Sequence, residues 1–240
     1  MRQKTRRTMI LLSLLLFPLT LNFFSPYVSI DGAMSGIISG SLLVFGLQFV
    51  SGVFLGRAWC GWLCPVSGLS EVCLGINSRN VNVRKLKILR YAIFSVWATF
   101  LLTMFFLAGG IKGIDPLHLT ESGISVDAPQ KYIIYYAVLL LLFLLTIFIG
   151  KRGACHSICW MSPFLVGGMK LGRLLKAPQL KLFSTPAACI RCGACDKACP
   201  MSIEVSASVQ AGSIRSTDCI LCGVCVDTCK KGVLRYGMKR

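Results

Sequence analysis

Four apolar runs mark the first two thirds of the chain: Met9 to Ile30, Ser35 to Leu55, Leu89 to Ala108 and Tyr132 to Ile149, with one charge, Arg90, at the edge of the third. Each is about 20 residues long, the length a helix needs to cross a hydrocarbon core of roughly 30 Å. The pattern predicts four transmembrane helices. The basic stretch Met1 to Arg7 resembles the n-region of a signal peptide, but no small-residue cleavage site follows and the first run continues past Pro18, so an uncleaved span is expected. Gly36, Gly40, Gly46 and Gly52 give the second run small faces for close helix packing. From about Lys170 the pattern changes: a basic stretch punctuated by Pro178 and Pro186 leads to a polar tail dense in cysteine. The expected organisation is a membrane domain over 1–169, a basic juxtamembrane linker over 170–185 and a small separate domain over 186–240, too short to bury much core without staples or metal.

Charge adds an orientation. The 240 residues carry 26 Lys and Arg against nine Asp and Glu, with 55% apolar and only 15% charged residues, which excludes an ordinary soluble globule. With the N-terminus inside, four spans leave 31–34 and 109–131 outside, holding only Lys112 and Lys131 of the basic residues but four of the acids, Asp31, Asp115, Glu121 and Asp127. The excess of Lys and Arg in the remaining loops marks them as cytoplasmic. The basic character therefore needs no nucleic acid to explain it. Arg84, Lys85, Lys87 and Arg90, with Lys170, Arg173, Lys176 and Lys181, read as anchors on anionic headgroups.

The 13 cysteines supply the chemistry. Cys189-Ile-Arg-Cys192-Gly-Ala-Cys195-Asp-Lys-Ala-Cys199-Pro200 is C-x2-C-x2-C-x3-C-P, and thirty residues later Cys219, Cys222, Cys225 and Cys229 repeat it, with Lys230 in place of the proline. This is the spacing of a bacterial two-cluster ferredoxin, in which three close thiolates bind one cubane and the fourth cysteine ligates the other cluster. One 4Fe-4S cluster is thus assigned to Cys189, Cys192, Cys195 and Cys229, the second to Cys219, Cys222, Cys225 and Cys199. Gly193 and Gly223 hold equivalent places where a missing Cβ lets the backbone approach a cluster. A disulfide framework conflicts with a cytoplasmic tail, and structural zinc takes more widely separated pairs.

Two further pairs follow the second and fourth apolar runs: Cys60 and Cys64 in Arg57-Ala-Trp-Cys60-Gly-Trp-Leu-Cys64-Pro65, and Cys155 and Cys159 in Arg152-Gly-Ala-Cys155-His-Ser-Ile-Cys159-Trp160. Arg57 and Arg152, Cys60 and Cys155, and Cys64 and Cys159 are each 95 residues apart, so the membrane half reads as two helical hairpins repeated in parallel. Together the pairs supply four thiols, enough for a third iron–sulfur cluster with Arg57, Lys151 and Arg152 offsetting its charge. The competing reading is buried structural or redox-active thiols without metal. His156 reads as a hydrogen-bond partner rather than a ligand, and Cys73 as a packed apolar residue.

The expected fold class is a mainly α membrane protein, four transmembrane helices as two parallel-repeated hairpins, with a small C-terminal α+β two-cluster ferredoxin domain. Over nearly its whole length the chain resembles the NapH/NosR-like membrane-bound 4Fe-4S polyferredoxins, on the C-x3-C-P after the second span, the related pair after the fourth, and the two-cluster tail. The resemblance implies a multi-pass protein of the cytoplasmic membrane that passes electrons between the quinol pool, or a cytoplasmic donor, and a partner oxidoreductase, with quinone a candidate ligand. Behind Cys159 the expected proline is displaced to Pro163, so the nitrate-reductase role of that group does not carry over.

The two histidines, His118 and His156, cannot clamp a haem within the bundle, since His118 lies in the outer loop; no C-x-x-C-H, P-loop or dinucleotide fingerprint occurs, and the runs contain no acid to mark an ion path. What remains is electron carriage by a non-catalytic subunit of an oxidoreductase complex. The alternative is a maturation factor whose clusters reduce a metal or thiols during assembly of another metalloenzyme.

Overall fold

The computed structural model describes residues 1–120 and 123–239; Glu121, counted above on the outer side, lies outside them, as do Ser122 and Arg240. The elements run α1 (Arg2–Leu15), α2 (Phe17–Thr20), a 3-10 turn (Leu21–Phe24), α3 (Pro26–Met34), β1 (Ile37–Ser39), α4 (Gly40–Leu55), α5 (Ala58–Trp62), α6 (Pro65–Cys73), α7 (Val83–Leu107), β2 (Gly113–Asp115), α8 (Pro129–Ile149), α9 (Gly153–Ser157) and α10 (Met161–Leu174). The tail adds β3 (Gln179–Ser184), α11 (Ala194–Ala198), α12 (Val205–Val209), α13 (Val224–Thr228) and β4 (Leu234–Lys239).

Of the four expected spans, α7 and α8 are single helices long and apolar enough to cross a membrane. The Asn82 side chain caps α7 by accepting from the Lys85 N–H (3.2 Å), and Pro129 opens α8 where its missing N–H has no intrahelical partner to lose. The first expected span, Met9 to Ile30, is not one helix. α1 and the Phe17–Phe24 segment meet at 60°, so together they amount at most to a bent span, and α3 starts afresh. The reason is Pro18 and Pro26, each of which sits in the first turn of a new helix; inside a continuous one, either would remove a hydrogen bond and clash with the carbonyl four residues back. The second expected span is shortened too. Residues 37–39 are extended and pair in parallel with β2, leaving α4 with 16 residues, about 24 Å of rise.

The 95-residue repeat is visible in the backbone. α5 and α9 begin and end 95 residues apart, and each follows a long helix through a glycine of positive φ, Gly56 and Gly150. The two halves interleave: α4 packs along α10 while α6 packs against α8, so each half's long helix lies beside the helix that follows the other half's cysteine pair. Gly52 makes the close approach in the α4–α10 contact, where a Cβ would stand 2.6 Å from the Leu165 carbonyl oxygen. Gly46, expected on the same kind of face, borders open space.

The stretch 170–185 is not a simple linker. Its first residues complete α10, and residues 179–184 form β3, paired antiparallel with β4. The tail also packs tightly on the rest of the chain. Its core residues Ile220, Leu221, Met201 and Leu182 share one cluster with Cys60 and Leu165. Gln179 donates to the carbonyls of Val53 (3.0 Å) and Met169 (2.8 Å), Trp62 Nε1 to the Leu221 carbonyl (3.0 Å), and Lys151 Nζ to the Lys197 carbonyl (2.9 Å). From the N-terminus, Arg2 pairs with Asp227 and Gln3 donates to the Cys222 carbonyl (3.0 Å). α1, α5, α6, α9 and the tail thus gather at one end of the bundle, while β1 and β2 pair at the other.

Candidate metal centres

Each tail run folds in the same way. The residue before the second cysteine is left-handed, Arg191 (φ 51) and Leu221 (φ 52), and so is the glycine after it, Gly193 (φ 69) and Gly223 (φ 74). Both glycines lead straight into a one-turn helix, α11 or α13. Glycine takes this conformation without the steric penalty a Cβ imposes. Cys189, Cys192 and Cys195, with Cys229 from the other run, line one cavity of about 430 Å³. Cys219, Cys222 and Cys225, with Cys199 from the first run, line a second of about 20 Å³. Each run therefore lends its fourth cysteine to the other's cavity. Among the described residues, no three His, Cys, Asp or Glu side chains converge as they would on a single metal ion; each set of four thiols instead lines one cavity, and a cluster takes one thiolate per iron.

The membrane-half pairs come together at the base of α4 and α8. Burial pushes the Cys64 thiol well up, and Cys60, Cys155 and Cys159 all lie close enough to push it further. Burial likewise lifts Cys159 to about 12, with Cys60 and Cys155 adding to the effect. As free thiols both stay protonated at neutral pH; ligation to a metal would take those protons off. Ser70 Oγ lies 3.8 Å from Cys155 Sγ. Cys73 is fully buried, as a packed apolar residue would be.

Around the four thiols sits a concentration of buried positive charge. Arg57, Arg90 and Arg152 are at most 1% exposed, and Arg6 is fully buried. Two carboxylates serve them. Asp218 pairs with Arg57 (3.4 Å), Arg90 (3.0 Å) and Lys87 (3.5 Å), and Glu71 with Arg6 (2.5 Å), Arg7 (3.2 Å) and Arg152 (3.2 Å). Arg90, expected to snorkel to headgroups, is instead locked into this network by Asp218 and by the Cys155 carbonyl (3.3 Å). Among the described residues, the Nε atoms of Arg57, Arg90 and Arg152 have no hydrogen-bond partner, nor do Trp59 Nε1 and both ring nitrogens of His156. Burial, then Arg57, hold the His156 ring down to about 3, so it is neutral and has an N–H to donate. Orphaned buried donors around four thiols are costly unless an anion completes them. An oxidised cubane with its four thiolates carries a net charge of about −2, and its sulfurs accept hydrogen bonds. The donor set and the surplus of guanidinium charge therefore fit an iron–sulfur cluster. Sequence reading missed Asp218 and Glu71, although two acids in such basic surroundings were a signal. Among the described residues, neither ring nitrogen of His156 has the hydrogen-bond partner expected for it.

Two cysteine-lined cavities of the ferredoxin pattern, on a chain with two helices long and apolar enough to cross a membrane, are the features of a ferredoxin-type protein. Comparison with known proteins agrees. Residues 181–230 match a family described as a 4Fe-4S dicluster domain, and residues 37–84, which include Cys60 and Cys64, match one described as a 4Fe-4S binding domain. The chain is 27% identical to the methylamine utilization ferredoxin-type protein MauN of Methylorubrum extorquens, over 89% of this chain and 74% of that protein. It is 28% identical to MauN of Paracoccus denitrificans, over 85% and 70%, and 23% identical to the ferredoxin-type protein NapH of Haemophilus influenzae, over 92% and 77%. No solved structure matches. The chain is thus a relative of the NapH-like ferredoxin-type proteins, the group its motifs resemble, and these similarities support an iron–sulfur electron-transfer role and membrane association.

Proposed function

We propose that the chain is a membrane-anchored electron-transfer subunit that relays electrons between a cytoplasmic or quinone-pool donor and a partner oxidoreductase. In this reading Cys189, Cys192, Cys195 and Cys229 hold one 4Fe-4S cluster, and Cys199, Cys219, Cys222 and Cys225 a second. Cys60, Cys64, Cys155 and Cys159 hold a third at the inner membrane surface. The ferredoxin region 186–240 and the N-terminus face the cytoplasm of a multi-pass protein, a reading supported by the loop charges and by the contacts of Arg2 and Gln3 with the tail. Bound clusters supply one-electron storage without proton or group transfer.

The observation that carries the proposal is the group of orphaned donors on Arg57, Arg90, Arg152 and His156 around four thiols, three of them buried, beside a tail that presents two more sets of four. The chain's own residues hold negative charge in place, exclude water from Cys60, Cys64 and Cys155, and keep the inner tail set against α5. Iron and acid-labile sulfide on anaerobically purified protein provide the test. About twelve irons per chain are expected, and about eight after Cys64→Ser with the EPR signals of the reduced tail intact. A Cys64→Ser protein that loses no iron sinks the third site.

A further inference from the structure

The two tail cavities differ in what surrounds them, and the difference points to a partner. Positions in the two runs correspond at an offset of thirty residues. Beside the cavity of Cys219, Cys222, Cys225 and Cys199, the variable positions are Ile220, Leu221, Pro200 and Met201, all buried. Beside the cavity of Cys189, Cys192, Cys195 and Cys229, the matching positions are Ile190, Arg191, Lys230 and Lys231, all exposed, as is Cys192 itself. Three apolar residues on one side thus become three cations on the other. Among the described residues, none of the three cations is paired with a carboxylate. Ile190, 66% exposed, adds an apolar centre to the cationic rim, the anatomy of a protein–protein interface.

We propose that this rim is the docking site for a soluble redox protein whose own centre is ringed by acidic side chains. The inference rests on the electron-transfer reading above and names the partner's chemistry. Complementary charge steers encounter and sets orientation. Each encounter moves one electron, lost by the donor and gained by the acceptor, with no bond made or broken. The inner cavity cannot serve in this way, because α5, the N-terminal residues and α10 cover it.

The full chain in nanodiscs of zwitterionic lipid, titrated with an acidic flavodoxin as probe, provides the test. Binding of oxidised flavodoxin by calorimetry and reduction of the chain by flavodoxin hydroquinone are both measured against salt. The expected result is binding that weakens with salt. Reversing Arg191, Lys230 and Lys231 together to Glu is expected to reduce affinity and second-order rate by about tenfold or more at low salt. Reversing Arg173 and Arg215, which line a separate groove with Lys176 and Lys181, is expected to change both by less than about twofold. Neutral Gln at the three positions repeats the measurement if the Glu variant loses iron. Flavodoxin that does not bind, or binds the iron-replete variant as it binds wild type, overturns the rim. So does protection of Arg191, Lys230 and Lys231 from trypsin by the nanodisc bilayer without flavodoxin, which would assign the rim to the bilayer surface. Absent iron in the wild type would overturn the electron-transfer reading instead, since binding is measured independently of iron.

Discussion

The two cysteine runs of the tail are near copies with opposite fates. Both have the same spacing, the same pair of left-handed residues and the same one-turn helix, so their local backbone is the same. Yet Ile220 is 2% exposed and Ile190 66%. Local geometry follows from where the cysteines and glycines stand. Placement in the molecule follows from the residues beside each cavity, because Leu221, Pro200 and Met201 can be buried against the rest of the chain at little desolvation cost and Arg191, Lys230 and Lys231 cannot. Asp218, just ahead of the inner run, strengthens the asymmetry by taking both Arg57 and Arg90, whereas its counterpart in the outer run, Ala188, is exposed.

Exchanging residues between the runs breaks this comparison most severely. Leu221→Arg places a cation in the buried interface near Arg57 and is expected to lower the stability of the cluster-loaded protein by about 3–5 kcal/mol, read from the urea midpoint at which visible cluster absorbance is lost. Asp218→Asn comes next, at about 3 kcal/mol, since it keeps one amide oxygen as acceptor but removes the negative charge that the buried Arg57 and Arg90 share. Gly61→Ala forces a Cβ onto the Ile220 carbonyl oxygen. It should cost about 1–3 kcal/mol and hasten proteolytic release of the tail in limited digestion.

Acidification probes the N-terminal clasp on the inner run. Burial alone would raise the Glu71 carboxyl, but Arg6, Arg152 and Arg7 override it and hold it below the ordinary carboxylate range. A carboxyl depressed by folding stabilises above its unfolded pKa, and that contribution fades as pH falls towards the folded value. The gap in urea midpoint between wild type and Glu71→Gln should therefore be full at neutral pH and close on acidification. α1, with Gln3 on the Cys222 carbonyl, should become protease-sensitive over the same pH interval. The smallest effect is expected from Arg191→Leu, the reverse exchange at the exposed run. It should change stability by no more than about 0.5 kcal/mol, while weakening flavodoxin binding.

How much of this was legible in the chain follows from the range of each interaction. Ligand spacing, left-handed glycines and the 95-residue repeat are short-range or register properties, and the placement of Cys189 to Cys229 and the matched helices α5 and α9 follow from them. Span boundaries were legible only where no proline intervened: α7 and α8 extend through their apolar runs, whereas Pro18 and Pro26 break the first, and β1 takes the start of the second. Residues 179–184 read as linker because their strand partner lies fifty to sixty residues away at Leu234–Lys239. Arg90 read as a lipid anchor because nothing nearby in sequence announces Asp218, 128 positions on.

The amino-acid sequence by itself determined the ligands on offer: two runs of four cysteines, two C-x3-C pairs, the apolar runs ahead of those pairs, and a surplus of Lys and Arg. The tertiary structure alone decided which tail set is buried against α5 and which opens to solvent, and that two carboxylates are shared among six cations. Those outcomes depend on contacts between residues far apart in the chain, where burial converts a charge from a solvated surface group into one that must find its partner in the fold.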